Sequence, residues 1–201
     1  MKARLAKYRR MRNFARTPEP SGSGREASAA RARFVVQLHF ASHRHFDFRL
    51  EVAGTLRSWA VPKGPSLDPK LKRLAIEVED HPLEYGKFEG TIPEGHYGAG
   101  VVHIWDNGTW HPKDNPVKAL KDGHLDFELF GKRLRGRWTL IRTKAPKRPT
   151  WLLFKRTDEF VVPDDVADDT PLKKFRPRKR ASHATKPIPH ARRTRTRSTG
   201  R

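Results

Sequence analysis

The chain has 201 residues, with 43 Lys and Arg against 22 Asp and Glu, a formal net charge of +21, and no cysteine. That length suits one domain of ordinary size with extensions. Disulfides, thiolate nucleophiles and thiolate-bound zinc are excluded, and no run of 18 apolar residues is present to form a membrane-crossing helix.

The charge is concentrated at the ends. Residues 1–33 carry ten Lys/Arg against two Glu, and residues 163–201 carry twelve Lys/Arg against four Asp. The stretch 34–162 holds 21 basic and 16 acidic residues. It reads as a mildly basic globular domain between a basic N-terminal arm (1–33) and a basic tail (163–201), and a polyanionic partner is the first expectation. The first fourteen residues, MKARLAKYRRMRNF, lack the apolar stretch of a secretory leader. A cytoplasmic, nucleoid-associated monomer is expected.

Residues 18–33 (PEPSGSGREASAARAR) have little to bury and read as a linker or a segment ordered only by contact. Then come short runs rich in β-branched and aromatic residues: 34–38, 45–52, 56–61, 73–78, 100–105, 125–129, 135–142 and 151–156. Turn chemistry separates several of them: Ala53-Gly54, Pro62-Lys63-Gly64-Pro65 and Asp106-Asn107-Gly108. Pro116–Asp122 reads as a helix, with Asn115 to cap it and Gly123 at its exit. Eight short strands and one or two short helices predict a mostly β protein, a small antiparallel barrel or sandwich. The tail from Pro163, with its acidic patch followed by a basic run, is expected to be disordered.

One strand carries unusual chemistry. Residues 39–51 read HFASHRHFDFRLE. Side chains alternate across a strand, so His45, Asp47, Arg49 and Glu51 share one face and Phe46, Phe48, Leu50 and Val52 the other. The turn at Ala41-Ser42 can bring His39 beside His45. Two imidazoles and a carboxylate make an N,N,O metal site with open positions, and Arg49 suits a phosphate. The same alternation also describes any half-exposed strand. His43 reads as a surface residue. The connection 79–100 has little to bury and reads as a functional loop. In it, His81 and Tyr85 are either phosphate-binding or acid–base groups or ordinary loop hydrogen-bonding residues.

The segment from Phe34 to Trp110, with HFASHRHFDFRLE, EDHPLEYG (79–86) and TIPEGHYGAG (91–100), closely resembles the 3′-phosphoesterase domain of bacterial and archaeal DNA ligase D. The similarity extends to YRRMRNFARTPEP (8–20), GKRLRGRWTL (131–140) and WLLFKRTDEF (151–160), and so covers about residues 5–162. The resemblance implies a β-barrel enzyme that removes a 3′-terminal ribonucleoside and then the 3′-phosphate from DNA ends, using manganese. Cobalt or zinc would also suit two His and one Asp. It implies His39, His45 and Asp47 as metal ligands, and Arg49, His81 and Tyr85 acting on the scissile phosphate. Arg12, Asn13, Glu19, Gln37, Lys63 and Arg73 fall at further positions around the substrate. DNA 3′ ends are the implied partner, with a separate ligase or polymerase and a Ku-like end binder acting in trans.

One position departs from the family pattern. Where the motif has Arg-Asp-Phe, this chain has Arg12-Asn13-Phe14, and the acid at that place is linked to the ribonucleoside step. Asn keeps the shape and an acceptor oxygen but not the charge. The competing reading is a non-catalytic nucleic-acid-binding protein on the same scaffold, which the intact His39, His45, Asp47, Arg49, His81 and Tyr85 argue against. A nucleotidyl-transferring ligase needs Lys-x-Asp-Gly, and Lys121-Asp122-Gly123 lacks the intervening residue. A two-histidine phosphoesterase needs two His-x-Thr/Ser motifs, and the chain offers His183-Ala184-Thr185 in the tail. No spacing separates direct hydrolysis from a transient histidine phosphate.

Overall fold

The computed structural model describes residues 4–22, 31–144 and 149–175. Nine strands form one antiparallel sheet: β1 (Arg33–Phe40), β2 (Arg44–Val52), β3 (Thr55–Val61), β4 (Arg73–Glu77), β5 (Gly90–Ile92), β6 (Gly100–Pro112), β7 (His124–Gly131), β8 (Arg135–Arg142) and β9 (Thr150–Lys155). The order β1-β2-β3-β4-β9-β8-β7-β6 closes through β1–β6 into an eight-stranded barrel, and β5 lies outside it on β6. Two α-helices accompany the sheet among the described residues, α1 (Ala6–Arg10) and α2 (Pro116–Asp122). The mostly β antiparallel barrel expected from the sequence is therefore what the chain forms.

Local chemistry sets the register near the site. Ala53 and Gly54 both have positive φ, 50° and 81°, the backbone of a two-residue hairpin. The turn aligns Val52 with Thr55 and so places Ser58 opposite Arg49. The β1–β2 hairpin pairs His39 with His45 and Gln37 with Asp47. At α2 the Asn115 side chain accepts the Val117 and Lys118 N–H groups, and Gly123 leaves the helix at φ 86°.

The barrel interior is filled by Phe34, Val36 and Leu38 of β1, Phe46, Phe48 and Leu50 of β2, and Trp59, Trp110, Trp138 and Trp151 from other strands. A second apolar cluster lies apart: Tyr8, Leu56, Leu83, Tyr85, Phe88, Ile92 and Val102. It is built by α1 and the 79–92 segment packing on the outward face of β1–β3 and β6. The faces of β2 are thus both buried, from Phe46 to Val52. A charged outward face survives burial only if each charge is paired and hydrogen bonded, which constrains everything that follows.

Three expectations are corrected. Asp106-Asn107-Gly108 is not a turn but the middle of β6, where the register slips against Val36 and Gln37. The buried Asp106 carboxylate accepts the N–H groups of Asn107, Lys132, Arg133 and Leu134, and this ties the bulge to the β7–β8 turn. The 79–100 connection buries much more than expected. It contains a 3₁₀ helix (Leu83–Lys87) and β5, and it is stitched to β3 by the reciprocal Leu56–His81 backbone bonds. The segment 164–175, expected to belong to a disordered tail, packs on the barrel. Ala167 joins the core, Trp105 Nε1 donates to the Asp168 carbonyl, and Arg133 pairs with Asp168 between the Trp105 and Phe175 rings. Its acidic residues answer barrel cations, Asp169 pairing with Arg44. The residues 23–30 of the expected linker and 176–201 of the tail lie outside the described residues.

Candidate active site

His39, His45 and Asp47 converge on the outward face, on neighbouring strands. One ligand-type atom from each lies within 4.8 Å of the others, and this is the one such trio among the described residues. His39 Nδ1 is 3.6 Å from Asp47 Oδ2, and His45 Nε2 is 3.7 Å from Asp47 Oδ1. The remaining ring nitrogens are tethered to carbonyls: His39 Nε2 to Gly98 at 2.9 Å, and His45 Nδ1 to His43 at 2.8 Å. A carbonyl only accepts, so each tethered nitrogen carries the proton and the other presents its lone pair toward Asp47. That orientation by an outer carbonyl is how metal-binding histidines are held. The residues fit a divalent cation, with His39 Nδ1, His45 Nε2 and the Asp47 carboxylate as donors. His43, expected at the surface, is exposed, and its backbone does the tethering.

Arg49 stands next along the strand and is 2 % exposed. Its Nη2 pairs with Asp47 Oδ2 at 3.0 Å, Nε donates to Gln37 Oε1 at 2.8 Å and Nη1 to Ser58 Oγ at 2.8 Å. The Tyr85 ring lies 4.8 Å from the guanidinium carbon. Burial works against ionisation of Asp47, but the Arg49 guanidinium holds the carboxyl well below the usual carboxylate range. Gln37, expected at the substrate, has its amide fully committed. Its Nε2 donates to the Tyr85 and Phe88 carbonyls while its oxygen takes Arg49. It positions Arg49.

The N-terminal arm closes the back of the site. Tyr8, fully buried, donates to the Pro20 carbonyl at 2.6 Å and lies beneath the Arg12 guanidinium at 4.0 Å. Arg12 reaches Glu19 at 2.7 Å, Glu79 at 3.0 Å and His81 Nε2 at 3.2 Å. His81 Nδ1 lies 2.8 Å from the Glu79 carbonyl and 2.9 Å from Arg49 Nη1. The tautomer with the proton on Nδ1, donated to that carbonyl, leaves Nε2 to accept from Arg12, and the approach of Arg49 Nη1 to Nδ1 is then a contact between two donors and not a hydrogen bond. Burial, with Arg49 and Arg12 adding to it, drives the His81 pKa well below the ordinary imidazole value, so the ring is neutral at pH 7. Tyr85 is pushed up by burial and stays a phenol. In all, the guanidiniums of Arg12 and Arg49 face the carboxylates of Asp47, Glu19 and Glu79. One negative charge is left in excess, which suits a bound cation.

The neutrality of His81 has a measurable consequence. Below the ordinary imidazole pKa of about 6.5, an unfolded chain takes up a proton that the folded chain refuses. This contribution to stability is complete above that pH and declines as pH falls through it. Urea unfolding in EDTA should give a lower midpoint at about pH 5.5 than at about pH 7.5, and His81→Gln should shrink the difference. An equal difference in both proteins would contradict a buried neutral His81.

The other expected site residues lie outside this hydrogen-bonded network. Asn13 is exposed, and its Oδ1 accepts the Ala15 N–H at 3.1 Å, closing a local turn. Lys63 and Arg73 line a groove of about 510 Å³ with Lys70 and Lys72 instead of joining the histidines. Three residues were missed: Ser58, Glu79 and Tyr8. The Ala53-Gly54 hairpin register could have found Ser58, whereas nothing local in the sequence marks Tyr8 as the arm's anchor.

A family model described as the DNA ligase D 3′-phosphoesterase domain matches residues 37–142, just over half of the chain. The chain belongs to that family. The match takes in both histidines, Asp47, Arg49, His81 and Tyr85, and leaves the arm with Arg12 and Glu19 outside. The Pseudomonas aeruginosa multifunctional non-homologous end joining protein LigD is 58 % identical over 156 residues, 77 % of this chain and 19 % of that protein. The Mycobacterium tuberculosis multifunctional non-homologous end joining DNA repair protein LigD is 46 % identical over 165 residues, 81 % of this chain and 21 % of that protein. The Mycolicibacterium smegmatis LigD is 38 % identical over 173 residues. The chain spans about a fifth of the length of these DNA ligase D relatives. Its match to them is longer than the 3′-phosphoesterase segment itself.

Proposed function

We propose that the chain is a metal-dependent phosphoesterase that removes 3′-terminal phosphates from DNA ends, and 3′-terminal ribonucleosides less well, leaving a 3′-hydroxyl for end joining. The observation that carries this reading is the convergence of two tethered imidazole acceptors on the Asp47 carboxylate, with Arg49 bound to that same carboxylate. Manganese or a similar divalent ion held by His39, His45 and Asp47 would supply Lewis acidity toward a phosphoryl oxygen. Arg49, pinned by Gln37 and Ser58, offers fixed positive charge where negative charge grows as water attacks phosphorus. His81, neutral and with its Nε2 lone pair facing Arg12, would have to release that bond to take the proton of the attacking water and return it to O3′ as the P–O3′ bond breaks. Tyr85, a phenol packed on Arg49 and His81, orients the phosphate. DNA backbone is the partner of the basic ends, and its binding weakens with salt. A ligase or polymerase and a Ku-like end binder acting in trans complete the reaction sequence.

Asn13 sets the balance between the two activities. An aspartate there would accept the same Ala15 N–H, so the turn does not require the amide, and what this chain lacks is the charge. A primer-template assay in Mn²⁺ should therefore show faster removal of a 3′-phosphate than of a 3′-ribonucleoside, and Asn13→Asp should narrow the gap. Equal rates on both ends in the wild-type protein would contradict the role given to Asn13, and product from neither end would defeat the phosphoesterase reading.

A further inference from the structure

Tyr97 is a half-exposed aromatic close to Arg12. Its neighbours in the family of buried rings, Tyr8 and Tyr85, are 0 % and 2 % exposed, whereas Tyr97 is 48 % exposed. It sits in two successive turns, with His96 N–H donating to the Pro93 carbonyl and Ala99 N–H to the His96 carbonyl. The next residue, Gly98, has φ +76°, and its carbonyl tethers His39 Nε2. A side chain at Gly98 would start 3.8 Å from the His39 ring. The loop is therefore fastened to the metal-type cluster through Gly98 and carries a half-exposed aromatic ring on the residue before it. The Arg12 guanidinium approaches both rings, 4.0 Å from the centre of Tyr8 and 5.5 Å from that of Tyr97. Glu19 and Glu79 hold Arg12 in that place.

An exposed aromatic ring held beside a cation and a phosphate-type site has the parts of a base-stacking platform. We propose that Tyr97 forms a nucleobase subsite, stacking on the base of the terminal nucleoside whose 3′-phosphate lies at His39, His45 and Asp47. The inference rests on the phosphoesterase reading for the position of the phosphate. It goes beyond that reading in naming what holds the nucleoside. Stacking accepts any base, so the subsite selects a nucleoside end over a bare phosphate ester without choosing sequence.

The test is fluorescence anisotropy in Mn²⁺ with primer-templates whose terminal residue carries a 3′-methylenephosphonate, with a P–C bond that is not hydrolysed, and either bears a base or is abasic. Wild-type protein should bind the base-bearing end about tenfold more tightly. Tyr97→Ala should lose that preference with less than about a twofold change on the abasic end, and Tyr97→Trp should keep it. Urea midpoints confirm that the variants are folded. Equal affinity of the wild type for both ends, or an equal loss on both ends in Tyr97→Ala, overturns the subsite. Phosphate release by the wild-type protein in Mn²⁺ is scored separately, so a failed phosphoesterase reading and a failed base subsite give different results.

Discussion

Asp47→Asn should abolish metal-dependent hydrolysis while the barrel stays folded. Removing an outer partner of a metal ligand costs about 10–100-fold in affinity or activity, and a direct donor should cost more than the upper end of that range. The amide keeps an oxygen for Arg49 Nη2, now 3.0 Å from Asp47 Oδ2, so the buried guanidinium keeps an acceptor. Asp47→Ala removes that acceptor as well. It leaves Arg49 charged in a site where it is 2 % exposed, and truncating one partner of a buried pair costs about 3–5 kcal/mol. The two variants therefore separate chemistry from folding. Both are inactive, but Asp47→Ala alone should lose a large part of a typical domain's stability of about 5–15 kcal/mol, as read by urea unfolding. An Asp47→Asn protein with wild-type rates would show that the carboxylate charge is not used.

Arg49→Lys is the second large effect. The three nitrogens of the guanidinium go to three different acceptors, Gln37, Ser58 and Asp47. One ammonium cannot reproduce that fork. Gln37 Oε1 and Ser58 Oγ would be left in a dry layer with unmade bonds, at about 1–3 kcal/mol each. A lysine keeps the positive charge but not its fixed position and forked donors, and losing these at the phosphoryl group should lower kcat by about 100-fold or more. Single-turnover rates and urea unfolding measure the two losses. A kcat within about twofold of wild type would place Arg49 outside the transition state, as a purely structural residue.

These effects were partly legible in the sequence, and the reason lies in period and register. The alternation from His45 to Val52 separates a Phe/Leu face from a His/Asp/Arg face without any structure. The Ala53-Gly54 turn then fixes what lies across from Arg49. Asn115, Pro116 and Gly123 mark both ends of α2, because caps are local chemistry. The alternation does not say that the polar face is also buried. That follows from residues far away in sequence, Tyr8 and the Leu83–Phe88 stretch, whose apolar side chains have no partner until the barrel exists. The three-residue β5 is too short to carry a period. Asp106-Asn107-Gly108 has turn composition, yet Asp106 spends its carboxylate on the N–H groups of residues 132–134, a contact no local pattern contains. The acidic residues at 164–169 looked like the start of a tail for the same reason: Arg44 and Arg133, their partners, are more than thirty residues away.

The arm shows the division most clearly. Its basic composition alone points to a polyanionic partner, whereas Arg12 points inward to the site. It is sandwiched on Tyr8 and bonded to Glu19, Glu79 and His81. Its charge is held there despite burial because Glu19 and Glu79 favour the charged form. Within the sequence, only the resemblance through Arg12-Asn13-Phe14 points this segment to the site.

The measurement closest to the central claim is release of inorganic phosphate from a 3′-phosphorylated primer-template by EDTA-stripped protein, as Mn²⁺ is added back in known increments. The account predicts no release without metal and activity that rises to a plateau at one ion per chain. In Asp47→Asn no activity should return at the same metal concentrations. Full activity in the stripped protein, or the same Mn²⁺ response in Asp47→Asn, would contradict a catalytic metal held by His39, His45 and Asp47.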